Sequence, residues 1–413
     1  MLKFRFRCHE CGASYAEDEV RLTCPICSEL QEPGGSLRGV LEVELDTLPE
    51  RWPKAPFTSA EFLTAFLPVA AEHLAPLEVG GTPLLPATEL RRHLGMPRLW
   101  LKDDARNPSG STKDRASLLV AAKARQYGYG TIAAASTGNA ATALAAVTAA
   151  AGTQAVVFVP QTAPEAKLIQ MMAYGARVLP VEGTYDDAFE LCLEACETLG
   201  WYNRNTGLNP FTIEGKKTAA LEIAASMAPE CPDAVVVTTG DGVIISGVAK
   251  GFADLERAGL IPRRPRLITV QPEGSNAIVE ALEHGDIDVT PVPGAASVAD
   301  SLVVEVPRNA RYCLEQIRAS QGAGVAVSDD AIVEAIARLA RLSGVFAEPG
   351  AAAPRAGRET AHEAGLVETG ERVVLLITGT GLKDVPAAAR AITRPAPIPP
   401  RLDALRDRLA CEP

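Results

Sequence analysis

The chain has 413 residues, 47% of them apolar, and a formal net charge of −11 at neutral pH. That length carries two or three domains and a large buried core, and that charge excludes nucleic acid or an anionic membrane as a general partner, since both require a basic face. A small anionic ligand is still allowed, because a few local donors suffice to hold it.

No opening stretch joins a charged segment to an apolar one, Lys3, Arg5 and Arg7 being interleaved with Phe and Leu, so a cytoplasmic location is expected. The most apolar long stretch, Thr131 to Pro160, is interrupted by Ser136, Thr137, Gly138, Asn139 and Gln154. It reads as strand, loop, helix and strand rather than as a membrane span.

Cys8-His9-Glu10-Cys11 and Cys24-Pro25-Ile26-Cys27 are two C-x2-C knuckles. Each brings two thiolates close enough to share one metal, and the four complete a closed tetrahedral site with no open position for chemistry. Structural Zn2+ on Cys8, Cys11, Cys24 and Cys27 is the expectation, with iron as the minority metal. Two disulfides or four inert thiols are the alternatives, disulfides being disfavoured in a cytoplasmic protein. His9 is expected to be an exposed knuckle residue and not a ligand. Cys192, Cys196, Cys231, Cys313 and Cys411 lack such spacing; Cys192 and Cys196 share a helix face and read as core thiols.

Pro33-Gly34-Gly35 marks a linker and Leu41 to Leu45 alternates like a short strand. From Phe57 to Leu77 the pattern is helical, followed by a Gly80-Gly81-Thr82-Pro83 turn, apolar Leu84-Leu85, and a strand at Leu99 to Leu101. The strand feeds Asn107-Pro108-Ser109-Gly110-Ser111-Thr112-Lys113, a polar turn that opens an apolar helical run at Ala116 to Ala121. At a helix start, free N–H groups and the dipole disfavour an ammonium, and partial burial adds to this, so Lys113 is expected to be a nucleophilic amine of lowered pKa. Local spacing alone equally admits a surface lysine in a charge cluster with Asp114 and Arg115.

Short strands then alternate with helices: Thr131 to Ala135, a helix from Ala140, Ala155 to Val159, a helix from Pro164, Arg177 to Val181, a helix from Tyr185. A second block follows the segment Asn205 to Thr218, with strands Ala234 to Val237, Arg266 to Val270 and Arg372 to Ile377 and helices from Ser246, Ala277 and Asp329. This is the rhythm of a parallel α/β protein, whose ligands collect beyond the carboxyl ends of strands. Three loops stand there: Ser136-Thr137-Gly138-Asn139, Thr238-Thr239-Gly240-Asp241-Gly242-Val243-Ile244, and Thr378-Gly379-Thr380-Gly381. The second could present backbone N–H groups to a phosphate, although it is neither a Walker sequence nor a dinucleotide fingerprint. With Lys113, the three loops supply an amine for an imine, an amide and hydroxyls for a phenolic oxygen, a nest for a phosphate, and a threonine for a ring nitrogen. Those are the parts needed to hold pyridoxal 5'-phosphate.

The ordered set Asn107 to Arg115, Ser136 to Asn139, Glu214-Gly-Lys-Lys-Thr218, Gly240 to Gly247 with Lys250-Gly-Phe, and Thr378 to Asp384 resembles the fold type II pyridoxal-phosphate enzymes, the tryptophan synthase β family. Within it, the chain looks most like the threonine synthases, and its cysteine module also resembles that found on some of them. The resemblance covers roughly residues 75 to 390. It implies that Lys113 holds the cofactor as an imine and acts as acid and base, and that Asn139 bonds the ring hydroxyl. It further implies that Gly240, Asp241, Gly242, Val243 and Ile244 hold the phosphate and that Thr378 faces the ring nitrogen. Ser136, Thr137 and Gly138 would hold the carboxylate of a small amino-acid substrate. The implied reaction is elimination of phosphate from O-phospho-L-homoserine and addition of water to give L-threonine.

Two positions depart from that family. Thr112 stands where an aromatic commonly precedes the lysine, and Phe211-Thr212 follow Asn209-Pro210 where many threonine synthases place a phosphate-binding arginine. Lys216 and Lys217 lie nearby as substitutes or as solvated helix-face charge. The alternatives are a paralogue carrying out β-replacement or β-elimination on a serine or cysteine derivative, of the cysteate synthase kind, and a binding subunit on a degenerate core.

The expected fold class is thus a two-domain α/β fold type II enzyme with parallel-type sheets flanked by helices, plus a small N-terminal zinc-ribbon-like module. Residues 1–45 form that module, 46–95 and 209–394 the large domain, 96–208 the small mobile domain, and 395–413 a tail. The resemblance implies a homodimer.

Overall fold

The computed structural model describes residues 2–163 and 165–411, and its strands sort into three sheets. β1 (Phe4–Cys8), β2 (Ser14–Tyr15) and β3 (Leu41–Leu45) pair antiparallel in the order β2-β1-β3. Further along the chain come β4 (Leu84–Leu85), β5 (Leu99–Asp103), β6 (Thr131–Ala135), β7 (Gln154–Pro160), β8 (Arg177–Val181) and β9 (Tyr202–Asn203). They are followed by β10 (Ala234–Thr238), β11 (Arg266–Pro272), β12 (Ala323–Val327) and β13 (Val373–Ile377). A four-stranded parallel sheet has the order β8-β7-β6-β9, and a six-stranded sheet the order β12-β11-β10-β13-β5-β4, parallel except for the edge strand β4.

Every residue of β10 and β13 is buried, as a parallel sheet covered on both faces requires. Alternate positions part to opposite sides. Ala234, Val236, Val373 and Leu375 join the core beneath the helices Asp329–Ser343 and Pro349–Glu363. Val235, Val237, Val374 and Leu376 join the core beneath the helices Thr218–Met227, Val243–Arg257 and Ala310–Ala319.

Several expectations are corrected. The run from Phe57 to Leu77 is a helix only at Ala60–Phe66, with a 3-10 turn at Ala71–His73; Pro68 and Pro76 remove the donors a longer helix needs. The helix after β10 begins at Val243, three residues before Ser246, because Gly242 turns the chain in the left-handed region at φ +89°. β5 lies inside the range 96–208 expected of the small domain, yet it pairs with β13 in the six-stranded sheet. Such a pairing joins segments more than 250 residues apart, and local pattern carries no trace of it. The helix start expected at Pro164 lies outside the described residues, and a helix is seen over Glu165–Ala173. No described helix is long and apolar enough to cross a membrane.

The cysteine module does not carry its own core. Phe6, Leu41, Val43 and Leu45 join Leu118, Leu119, Ile132 and Phe211 in one cluster, and Phe6 packs at 5.6 Å from Phe211. His9 corrects the expectation of an exposed residue: its side chain is 6% exposed, stacks 5.2 Å from Tyr312 and lies 3.1 Å from Glu315.

Arg115 anchors the helix Lys113–Gln126 in the interior. Its guanidinium donates twice to Asp104 at 2.7 Å, to Glu222 Oε2 at 2.9 Å and to Thr218 Oγ1 at 3.0 Å. Lys102 completes two cations against two carboxylates, all buried, and holds Asp104 down to about 2 together with Arg115. Removing one partner strands a buried charge, which typically costs about 3–5 kcal/mol. Arg115→Ala is therefore expected to lose stability on that scale in urea unfolding; a loss under about 1 kcal/mol would contradict this role.

Candidate active site

Lys113, Ser136, Thr137, Gly138, Asn139, Gly240, Asp241, Gly242, Val243, Ile244 and Thr378 all line one cleft of about 1460 Å³. It opens between the four-stranded and six-stranded sheets, beyond the carboxyl ends of β6, β10 and β13. Residues read from four separate stretches of sequence are thus brought together by topology.

Lys113 is the first residue of its helix, and its neighbour Thr112 is fixed by a hydrogen bond from its N–H to the Thr378 carbonyl at 2.8 Å. Burial, reinforced by the Arg204 guanidinium and opposed by Asp241 and Glu348, brings the Lys113 ammonium down to about 8. A substantial fraction is then neutral amine near physiological pH.

The Gly240–Ile244 loop opens the fifteen-residue helix Val243–Arg257. A side chain at Gly242 would place its Cβ 2.8 Å from Cys313 Cβ, so only glycine fits there. Thr238 on the same turn has a buried hydroxyl with no hydrogen-bond partner among the described residues. A reactive amine, a glycine loop at a helix start and an unpartnered hydroxyl fit a phosphate-bearing aldehyde cofactor. Thr378, 5% exposed, offers only a neutral hydroxyl.

Asn139 begins the helix Asn139–Ala151 and donates from Nδ2 to Glu348 Oε1 at 2.7 Å, leaving its second N–H for another acceptor. Glu348 was not legible beforehand. The Pro349-Gly350 that follows it signals a helix start, but nothing local marks the carboxylate as cleft-lining. Burial pushes its carboxyl up to about 7, against the pull of Lys383, Asn139 and Lys113.

Nothing local marks Arg204 or Lys216 as part of the site either. Arg204 lines the cleft, 1% exposed, held by Thr206 Oγ1 at 2.6 Å and by Ser117 Oγ at 3.4 Å, with no carboxylate in ion-pair range among the described residues. Lys216, equally buried, bonds only the Thr212 carbonyl at 3.0 Å, and burial beside Lys113 and Arg204 drives its pKa well down. Neither Lys216 nor Lys217 is solvated helix-face charge, which corrects that alternative: Lys217 is fully buried and engaged by Glu214 and, at 2.8 Å, Asp254. The helix Phe211–Lys216 is drawn inward because Gly215 lies where a Cβ would sit 2.4 Å from the Arg115 carbonyl oxygen.

Glu348 retains its proton in the folded chain from 4.5, the ordinary value, up to about 7. The stability it contributes is therefore present below that window and is lost as pH rises through it. Glu348→Gln, which cannot ionise, is expected to gain on the native sequence between pH 5 and pH 8 by up to on the order of 3 kcal/mol. Denaturant midpoints of the cofactor-free proteins at the two pH values measure it, and a pH-independent difference would refute it.

A family model described as pyridoxal-phosphate dependent enzyme matches residues 75–379. Threonine synthase of Methanocaldococcus jannaschii is 36% identical over 396 residues, covering 95% of this chain and 96% of its own length. Threonine synthase of Methanosarcina acetivorans is 33% identical over 407 residues, covering 98% of each. Among solved structures, diaminopropionate ammonia lyase from Escherichia coli shares the fold at a TM-score of 0.66 and 18% identity, over 83% of this chain and 94% of that one. The processed form of threonine deaminase isoform 2 from Solanum lycopersicum shares it at a TM-score of 0.63 and 22% identity, over 75% and 84% of the two chains. A family match across the cleft-forming residues, with relatives alike along nearly the whole length, places the chain among the fold type II pyridoxal-phosphate dependent enzymes.

Proposed function

We propose that the chain is a threonine synthase-like lyase that releases phosphate from O-phospho-L-homoserine and adds water at Cβ to give L-threonine. The observation that carries this reading is the buried guanidinium of Arg204 in the cleft wall, with Lys216 behind it and Lys113 beside both, and no carboxylate paired to it among the described residues. Uncompensated buried cations are costly, and a dianionic substrate group offsets that cost where it binds. Thr212 does not serve, since its hydroxyl donates to the Asn209 carbonyl at 2.7 Å and accepts from Gly207 N at 3.3 Å. Lys217 is already paired. Arg204, with its fixed fork of donors, takes the place of the arginine missing at Thr212. The relatives named threonine synthase support the same reading.

In this proposal the Gly240–Ile244 loop binds the phosphate of pyridoxal 5'-phosphate, the free N–H of Asn139 donates to its ring oxygen, and Thr378 meets its ring nitrogen. The bound cofactor supplies the electron sink that makes the substrate Cα–H bond acidic. Ser136, Thr137 and Gly138 hold the substrate carboxylate by hydroxyl and N–H donors. Lys113 anchors the cofactor and then moves protons at Cα and Cβ, a task suited to an amine brought near 8. Arg204 and Lys216 stabilise the leaving phosphate.

The cysteine module completes the proposal as a structural Zn2+ site. The four Sγ atoms lie within 4.8 Å of one another, with Cys8–Cys27 and Cys11–Cys24 each at 3.7 Å. A tetrahedral ion with Zn–S near 2.3 Å has S···S edges of about 3.8 Å, and the two 3.7 Å separations support this reading. Tyr15 OH, 3.0 Å from Cys24 Sγ, supports the cluster from outside.

Holoenzyme given O-phospho-L-homoserine is expected to release phosphate and threonine in equal amounts. Lys113→Ala should lose the visible cofactor band and turnover by several orders of magnitude, and Arg204→Leu should lose turnover by about a hundredfold or more while keeping the band. A native band without either product, but with product from O-phospho-L-serine and sulfite, would transfer the reading to β-replacement. Metal analysis of protein purified without chelator should find close to one equivalent of zinc; less than about half would refute the metal site.

A further inference from the structure

Residue 308 is where three parts of the molecule meet at the mouth of the cleft. Its carbonyl accepts from Leu37 N at 2.8 Å, on the loop of the cysteine module between Cys27 and β3 that lines the cleft through Gln31–Gly35 and Leu37. Its own N–H donates to Asp241 Oδ1 at 3.2 Å, and Asn309 N donates to the Asp241 carbonyl at 3.0 Å, so the backbone is fastened to the glycine loop. The side chain reaches across the opening to the helix Tyr185–Leu199, whose strands of attachment belong to the other sheet. There the guanidinium carbon lies 3.9 Å over the Phe189 ring, and Nη2 lies 3.2 Å from Asp186 Oδ1.

We propose that Arg308 is a positioning residue that holds the four-stranded sheet and its helices closed over the cleft, and that the segment around Leu37 sets Arg308 in place. The proposal rests on the cleft being the active site, as read above. Stacking carries more of the effect than the ion pair: Phe189 is 4% exposed, whereas the Asp186 carboxylate is 82% exposed and therefore well screened. On the opposite rim, Lys383 Nζ donates to Gln170 Oε1 at 2.7 Å and Gln170 Nε2 donates to the Ser109 carbonyl at 3.2 Å. With the Asn139–Glu348 bond inside the cleft, three ties among the described residues bridge the two sides, and loss of one loosens closure without abolishing it. Because Asp241 orients residue 308 from the glycine loop, filling of that loop and closure of the mouth are mechanically joined. Because Leu37 holds the same residue from the other side, the cysteine module reaches the substrate through this contact although its metal site carries no chemistry.

Arg308→Ala, Arg308→Lys and Asp186→Asn would be compared with native holoenzyme by kinetics and by amide hydrogen exchange across residues 185–199. Arg308→Ala is expected to raise KM about five- to tenfold with kcat within about twofold, to speed exchange in that helix, and to leave the visible cofactor band unchanged. Arg308→Lys, which keeps the charge but not the flat stack, should fall between; Asp186→Asn should shift KM less than twofold. Removing the metal from native protein should speed the same exchange, and should add little in Arg308→Ala. Unchanged KM and exchange in Arg308→Ala would overturn the positioning role, and unchanged exchange at residues 185–199 on metal removal would overturn the part given to Leu37. The exchange measurement needs no substrate, so it separates failure of this proposal from failure of the proposed reaction, which would show as absent product with the exchange result intact.

Discussion

Placement of the reactive lysine depends on the burial of Arg115. Successive residues on a helix turn by about 100°, so two positions along, a side chain points to nearly the opposite side. With Arg115 fixed inward by Asp104 and Glu222, Lys113 is turned outward to the cleft. A buried ion network of this kind is a poor source of net stability, because desolvation offsets much of its Coulomb energy. Its value here is angular. The carboxylates come from the turn after β5 and from the helix Thr218–Met227, so the Lys113 helix is keyed to both the six-stranded sheet and the segment that carries Lys216.

The same logic explains how the cysteine module is joined to the rest of this enzyme. Its apolar face is completed by Phe211, the first residue of the helix that presents Lys216. Phe4 and Phe6 meet that ring at 5.9 Å and 5.6 Å, and Lys123, from the Lys113 helix, reaches back to Glu17 in the module. Neither side has a finished core alone. Folding of the module and positioning of the cleft wall are one packing problem, solved once.

The strands that could be read from sequence were short apolar runs, or alternating ones such as Leu41–Leu45, set off by turn residues. Thr131–Ala135 and Arg177–Val181 stand where expected, and others differ by a residue or two at the ends. Burial on both faces writes itself locally in β10 and β13, whereas β8, with no fully buried residue, was legible from its apolar run and flanking glycines. The helix Pro349–Glu363 was not, since its two prolines, two glycines and run of alanines mimic a loop; its small residues let it pack against β10 to β13, as Gly357 does against Val270. β12, Ala-Gly-Val-Ala-Val, was equally silent. Of the site, the loops and Lys113 were legible because strand-to-helix turns carry their chemistry in consecutive residues. Arg204, Glu348 and Arg308 were not, since each is isolated in sequence and acquires meaning only from what the fold sets opposite it.

Charge balance in the cleft ties these residues together. Lys113, Arg204 and Lys216 are buried near Asp241 and Glu348, and Glu348, pushed up to about 7, is only partly a counter-ion at neutral pH. Arg204 therefore places a positive charge in a low-dielectric space, where it acts at longer range than in water. In the proposed reaction an arriving dianion favours the ammonium forms of Lys113 and Lys216 and pairs with the Arg204 guanidinium. Departure of that anion lets the lysine amine become neutral again. Under that proposal Lys113, which both gives and takes protons in one turnover, benefits from a site whose charge changes as the leaving group comes and goes.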